Sequence, residues 1–427
     1  MSASSLTRSL RERDLVAITI NAVIGAGIFG LPGKLYALVG SYSLIACIVC
    51  ALFVSLVVLC FAEVSSRFRD TGGPYLYASS AFGPAAGFQV GWLMWLARVS
   101  GFAANTNLLL TYLGTFGAPV ETGLGRSLFV TTLVSCLATI NLLGIRNAAI
   151  VNHAFTAGKL APIAVFCAVG LFAIVPTRLA LGPLPSADSF STAVLLMVYA
   201  LTGFEMVTVP GGEMREPQKS LPRALLIALS IIALIYVLIQ AVCIGVLPEL
   251  GSSPRPLADA SQRFLGAAGS KFIVLGIVIS IIGNLHITLL SASRLPFALA
   301  EHRQLPKVLS HTQPRYRSPD IAILVTASTM LAMALMGTFL GAVAISTVAR
   351  LIVYASTCAA LPILRARVPA PAALFVVPGG SWIGVTALVA CTWLLIHSPF
   401  GELMPLLAAI VVGLILYCVA SRNSSRI

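Results

Sequence analysis

Charged residues are scarce in this sequence. They make up 10% of its 427 residues, where a soluble domain carries about a quarter, so no soluble fold accounts for the chain. Acids are scarcer still, with 14 Asp and Glu against 27 Lys and Arg. Of the five histidines, those at 153, 302, 311 and 397 fall in predicted loops or at the ends of apolar runs. No zinc motif, phosphate-cradling glycine loop or set of nucleophile, base and orienting group is visible. An enzyme reading therefore has little to stand on, and neither a metal nor a cofactor is implied. The nine cysteines all lie within apolar runs. Even Cys47 and Cys50, spaced like half a zinc site, read as small packing residues.

What the sequence has in abundance is apolar length: 58% of its residues are hydrophobic and its mean hydropathy is +0.97. A membrane-spanning helix needs about 20 mostly apolar residues, because lipid offers the backbone no partner. Such runs cover Leu15 to Val39, Leu44 to Val64, Phe88 to Leu113, Leu128 to Leu143, Phe155 to Val175 and Ala193 to Pro210. They continue over Leu225 to Leu247, Phe272 to Ala300, Ile321 to Leu340, Gly341 to Leu364, Trp382 to Ile396 and Leu403 to Ala420. The expectation is an all-α integral membrane protein of about 12 transmembrane helices.

The placement of positive charge sets the topology. Counting connections alternately, one side carries eighteen Lys and Arg and the other five, which by the positive-inside rule makes both termini cytoplasmic in a multi-pass inner-membrane protein. The excess of basic residues is thereby explained without nucleic acid. Residues 1–14 read as a cytoplasmic tail, not a cleaved signal. Beyond it we expect a five-helix unit over 15–180, a second over 190–365, two further helices over 373–420 and a short tail over 421–427.

Two of the runs contain their own interruptions. The first holds GAGIFGLPG (25–33) and the sixth YALTGFEMVTVPGGE (199–213). Glycine lowers helix stability and proline removes a donor, so each run is expected to break. These glycines could instead only let helices pack closely, as is common in membranes. The first and sixth spans, however, hold corresponding positions in two five-helix halves, and paired breaks there point to a transporter site at an inverted-repeat interface. A broken helix exposes amides at one half and carbonyls at the other, which suit the carboxylate and ammonium of an amino acid. The carboxylate is assigned to the backbone of Ala26, Gly27 and Ile28, and the ammonium to carbonyls near Val23, Tyr199 and Thr202.

Five ionisable residues lie deep in apolar runs: Lys34, Arg98, Lys159, Glu205 and Arg350. Each costs about 2.5–3.5 kcal/mol at a helix centre on insertion scales. Glu205, beside Gly203 at the sixth-span break, is read either as a proton-exchanging group or as half of a permanent ion pair with Arg98. Lys159 is read as a built-in cation beside the first break, replacing sodium, or as a snorkelling side chain. Ser280, Asn284, Thr288 and Ser291 share one face of the eighth run; Arg98, Gly101, Asn105 and Tyr112 one face of the third; Thr347, Arg350, Tyr354 and Thr357 one face of the tenth. Mid-span Arg98 is the preferred cavity residue, Lys34 is expected to snorkel, and His286 reads as structural.

These residues resemble the amino acid/polyamine/organocation (APC) transporters. The resemblance covers spans one to ten through GAGIFGLP (25–32), DTGGPYLYASSAFG (70–83), TGFEMVTVPGGEMREPQKSLPRAL (202–225) and SASRLPFALAEHRQLP (291–306). It implies the LeuT-like fold, an inverted 5+5 repeat with helices 1 and 6 broken. It also implies that Gly25, Ala26 and Gly27 meet a substrate carboxylate while Tyr199 and Thr202 offer carbonyls to the amine. Glu205 matches a gating glutamate of arginine/agmatine exchangers, and Lys159 a lysine that replaces a sodium site. Asn284 stands where relatives often carry serine, Tyr199 replaces a tryptophan and Phe102 an asparagine. The expected function is sodium-independent amino acid transport by proton symport or exchange, with Lys159, Glu205, Asn284 and Thr288 in coupling or gating. Export of neutral amino acids and polyamine or cationic amino acid antiport remain alternatives, a channel or sensor a more distant one. The partners implied are an amino acid, protons and the lipid bilayer; oligomeric state is not readable.

Overall fold

The structure is a computed structural model that describes residues 6–25, 27–114, 120, 122–253, 255–336, 339–367, 372–396 and 400–424. Among the described residues there is no strand, only one isolated bridge between Leu10 and Met214. The chain forms α1 (Glu12–Val23), α2 (Gly27–Val39), α3 (Ser43–Ser65), α4 (Pro74–Phe82), α5 (Pro84–Gly114), α6 (Gly123–Leu142) and α7 (Ile145–Phe172). It continues through α8 (Ala187–Ala200), α9 (Pro217–Val246), α10 (Pro256–Glu301), α11 (Asp320–Met336), α12 (Phe339–Ala366), α13 (Gly380–Ile396) and α14 (Phe400–Ser424).

Six stretches of the described residues are long and apolar enough to cross a bilayer, among them Gly27–Ser65, Pro217–Val246 and Pro256–Glu301. Large apolar side chains face outward along these helices, such as Leu52, Ile150, Phe172 and Leu234. In water such a surface would drive association; against lipid it is solvated. The interior instead holds buried polar groups such as Asn21, Arg98, Lys159 and Glu205 among apolar side chains.

The most enclosed helix is α10, whose apolar window is 78% buried. Gly266, at φ 69° and ψ −167°, divides it into a short first piece and a long inner one. The inner piece packs against α5, α7, α11 and α1, so its polar face from Ser280 to Ser291 looks onto the first helix and not onto lipid. The first long apolar run is two helices, α1 and α2. The sixth is α8 followed by 3-10 turns at Phe204–Thr208 and Gly211–Glu213. One helix lies in a predicted loop: α4 starts because Gly73 takes φ 54° and Pro74 supplies the preset first helical residue.

Arg294, in the eighth apolar run and counted among the eighteen basic residues of the cytoplasmic side, is fully buried in α10. Its Nε and Nη2 donate to the two oxygens of Glu213 at 2.9 and 3.0 Å. The same Glu213 carbonyl accepts the amides of Ser9 and Leu10 at 2.9 and 3.1 Å, so the N-terminal segment, the turn after the second break and α10 meet at one point. Removing one member of a buried charge pair strands the other, at about 3–5 kcal/mol. Glu213→Ala is therefore expected to lower the thermal midpoint sharply in detergent, and Glu213→Leu combined with Arg294→Met to recover much of it. Additive losses in the double variant would show that the two do not act as a pair.

Candidate functional site

The last turn of an α-helix leaves carbonyls without intrahelical donors, and α1 ends in the protein interior. Ile24 closes the helix by donating to Ile20 O, and Gly25 N then turns back onto Val23 O at 2.7 Å. Four side chains from three other helices supply what is missing. The Lys159 ammonium of α7 donates to Asn21 O at 3.1 Å and Ile24 O at 2.5 Å. From α10, Ser280 Oγ donates to Ile24 O at 3.0 Å and Asn284 Nδ2 to Ala22 O at 2.7 Å. The Tyr236 hydroxyl of α9 lies between Ala200 O, at 2.9 Å, and Val23 O, at 3.3 Å. Its one proton serves one carbonyl at a time and ties the two broken helices together.

Lys159 is completely buried, and no carboxylate of the described residues lies within ion-pair distance of it. A helix C-terminus carries a partial negative charge, so these carbonyls are its counter-dipole. Its immediate surroundings also include the buried Asn21, which donates to Asn152 Oδ1 at 2.6 Å and Gly283 O at 3.0 Å. Gly283 admits this because a Cβ there would lie 2.7 Å from Asn21 Oδ1.

The second break begins where α8 ends at Ala200. Gly203 takes φ 119°, and a Cβ on it would stand 2.5 Å from Ala22 O. The two interruptions thus touch through bare backbone, in a conformation that side chains rarely adopt. The Glu205 side chain folds back, accepting from Gly203 N at 3.0 Å and from the Tyr354 hydroxyl at 2.7 Å. Its other oxygen faces the Arg98 guanidinium in a fully buried ion pair. Phe204 stacks on Tyr354 at 5.1 Å, and Phe61 meets both rings edge-on.

Between the breaks lies a small cavity, with about 40 Å³ open to the centres of water molecules, room for roughly three. Ala22, Val23, Gly25 and Gly27 line it from the first break, and Ala200, Thr202 and Met206 from the second. Gly101 and Asn105 come from α5, Asn284 and Thr288 from α10, and Arg350 from α12. The first amides of α2, those of Gly27, Ile28 and Phe29, have no acceptor within their own helix and form the positive end of its dipole. Residues of both half-helices of the first break, Ala22 and Val23 of α1 and Gly27 of α2, therefore border one space.

Of the residues singled out from sequence, Val23, Gly25, Gly27, Gly101, Asn105, Thr202, Asn284, Thr288 and Arg350 border this cavity. Ile28 is buried one step behind Gly27. Glu205 and Arg98 are paired behind the wall, Gly203 forms the contact between the breaks, and Lys159 sits beneath the α1 carbonyls. Ala26 lies outside the described residues; Tyr199 belongs to the helical part of α8. The arginine on the wall is Arg350, where sequence reasoning favoured Arg98: Glu205 draws Arg98 inward, and Arg350 Nη1 donates to Thr202 Oγ1 instead. Sequence reasoning missed Tyr236, Asn21 and Met206. Tyr236, a hydroxyl in the otherwise apolar SIIALIYVLI (230–239), carried a signal that could have been read.

Interrupted helices closing a small polar cavity, inside a bundle whose outer faces are apolar, define a multi-pass membrane transport protein. The chain belongs to the amino acid permease family, whose sequence model matches residues 10–419. It is 29% identical over 413 residues to the serine/threonine exchanger SteT of Bacillus subtilis, covering 93% of each protein. It is 25% identical over 452 residues to the branched-chain amino acid permease BcaP of the same species, covering 99% of this chain and 95% of that one. An uncharacterised transporter of Mycobacterium tuberculosis is 27% identical over 420 residues, covering 96% of this chain and 91% of its own length.

The contact between the breaks is testable. Gly203→Ala places a carbon against Ala22 O in a disfavoured conformation and is expected to cost about 1–3 kcal/mol or more. Gly30→Ala, inside α2 with nothing within 4 Å of the added carbon, is expected to be neutral or to gain up to about 1 kcal/mol. Thermal unfolding of both in one detergent reads the difference, and equal midpoints would rule out the close approach.

Proposed function

We propose that this chain is a sodium-independent secondary transporter of amino acids. It works by alternating access across the cell membrane, in an inverted five-plus-five arrangement within about twelve spans, with both termini cytoplasmic. The observation that supports this best is the Lys159 ammonium held by Asn21 O and Ile24 O at the broken end of α1. A covalently attached cation stands there against carbonyls that would otherwise call for a bound one. Gly27, the first residue of α2, borders the same space; amides at that helix start suit the substrate's α-carboxylate, while unwound backbone near Val23 and Thr202 suits its ammonium.

Exchange and proton symport both fit this arrangement, and a relative named a serine/threonine exchanger favours exchange. Glu205 is engaged on both oxygens, by Arg98, Gly203 N and the Tyr354 hydroxyl. That supports an ionised group tying the second break to α5 and α12, which opens or closes the site as it moves, over a free proton carrier.

The test is counterflow of labelled amino acids in proteoliposomes. Saturable exchange that proceeds equally when sodium is replaced by choline is the expected result. A strict sodium requirement would defeat the role given to Lys159, and conductance without counterflow would favour a channel. Glu205→Gln is expected to slow exchange while leaving any pH dependence in place; disappearance of that dependence would make Glu205 the proton carrier.

A further inference from the structure

The charges around the cavity do not cancel. Arg98 and Glu205 neutralise each other behind the wall, and Lys159 is spent on the α1 carbonyls. The charged group on the cavity wall itself, among the described residues, is Arg350. Its Nη1 donates to a neutral acceptor, Thr202 Oγ1, and its Nε is buried without a hydrogen-bond partner. No described carboxylate lies within ion-pair distance of it. Gly101 makes room for its head: a Cβ on α5 at that point would lie 3.0 Å from Arg350 Nη2 and 3.2 Å from Ser346 Oγ.

We propose that the transported amino acid carries an acidic side chain, whose carboxylate binds the Arg350 guanidinium. This rests on the amino acid transport reading and narrows its substrate class. A partly buried cation with an unused N–H gains most from an anion, and the planar guanidinium fork takes a carboxylate through two parallel bonds. On the reading above, the substrate's α-carboxylate goes to the amides opening α2 and so does not fill that role. A second carboxylate is what remains to be supplied, and the small cavity favours a short side chain such as that of aspartate or glutamate. Cationic amino acids and polyamines would bring like charge to Arg350 in a site of low dielectric, which weighs against them.

Counterflow with the unaltered protein in liposomes tests this directly, using aspartate, glutamate, asparagine, glutamine, serine, leucine, lysine and putrescine. Aspartate or glutamate is expected to exchange at concentrations about 10- to 100-fold below those of the corresponding amides, the margin of a charge-assisted hydrogen-bond pair. Arg350→Gln is expected to erase that preference and Arg350→Lys to keep part of it, with thermal unfolding checking that each variant is folded. Gly101→Ala, which pushes the guanidinium aside, is expected to raise the KM for acidic substrates more than for their amides. Exchange of neutral amino acids with no response to acidic ones overturns this inference and leaves amino acid transport standing. Silence across the whole panel overturns both.

Discussion

The carbonyl groups at the end of α1 lie in an interior where water cannot serve them, and the rest of the site follows from how they are bonded. An unsatisfied buried carbonyl costs about 1–3 kcal/mol, and a helix end presents several at once. Lys159 donates twice, to Asn21 O and Ile24 O, and Ser280, Asn284 and Tyr236 add donors from separate turns of α10 and α9. The geometry is consequently over-determined: Ile24 O accepts from both Lys159 and Ser280, so α1 is held against α7 and α10 at one atom. That is how a break in a helix, a weak point in most proteins, becomes a rigid feature. Because the donors are used up on the α1 side, the cavity is bordered by backbone whose electrostatics are fixed before any ligand arrives.

The same constraint explains the placement of the charged residues. Glu205 lies two residues beyond Gly203, whose positive φ allows the chain to reverse against Ala22. A carboxylate at that turn can bond its own backbone, and it does so through Gly203 N. Its remaining oxygen requires a cation in a medium where an isolated charge is costly, and Arg98 on the facing turn of α5 meets that need. Arg350, also within reach of this region but on α12, is left on the cavity side. Two arginines that look alike in the sequence thus acquire different surroundings because one carboxylate can neutralise only one of them.

Much of the helical framework was legible in the sequence. Each of the twelve apolar runs is helical over most of its described length, and both interruptions fall within the motifs that suggested them, although Pro32 of the first motif lies inside α2. Length and hydropathy are properties of a single segment, so one chain suffices to read them. What escaped were the facts that depend on pairs of segments. The short helix α4 was hidden by its polar, glycine-rich start. Arg294 and Glu213 drew no pairing from the sequence, because nothing local indicates that they neutralise each other 81 residues apart. Asn21 and Tyr236 looked like isolated polar residues in apolar helices until their partners, at separations of 131 and 36 residues, supplied the reason for them. The polar stripe of α10 was visible as a stripe, but which residues on it bond backbone and which border the cavity depends on where α1 stops.

This division between backbone and side chain bears on how a single architecture can serve different substrates. In the function proposed above, the groups that would meet an α-carboxylate and an α-ammonium are main-chain amides and carbonyls, which survive almost any substitution that preserves the breaks. Discrimination among amino acids then falls to side chains on the wall such as Thr202, Met206, Thr288 and Arg350. Of these, Arg350 carries the one full charge, and a charge in a dry cavity outweighs the contacts of a hydroxyl or a thioether. Substrate class should therefore vary with the residue at this point of α12 while the lysine, serine, asparagine and tyrosine that hold the α1 carbonyls stay under a common structural demand. Exchanging those four would change whether there is a site at all; exchanging the wall residues would change what it accepts.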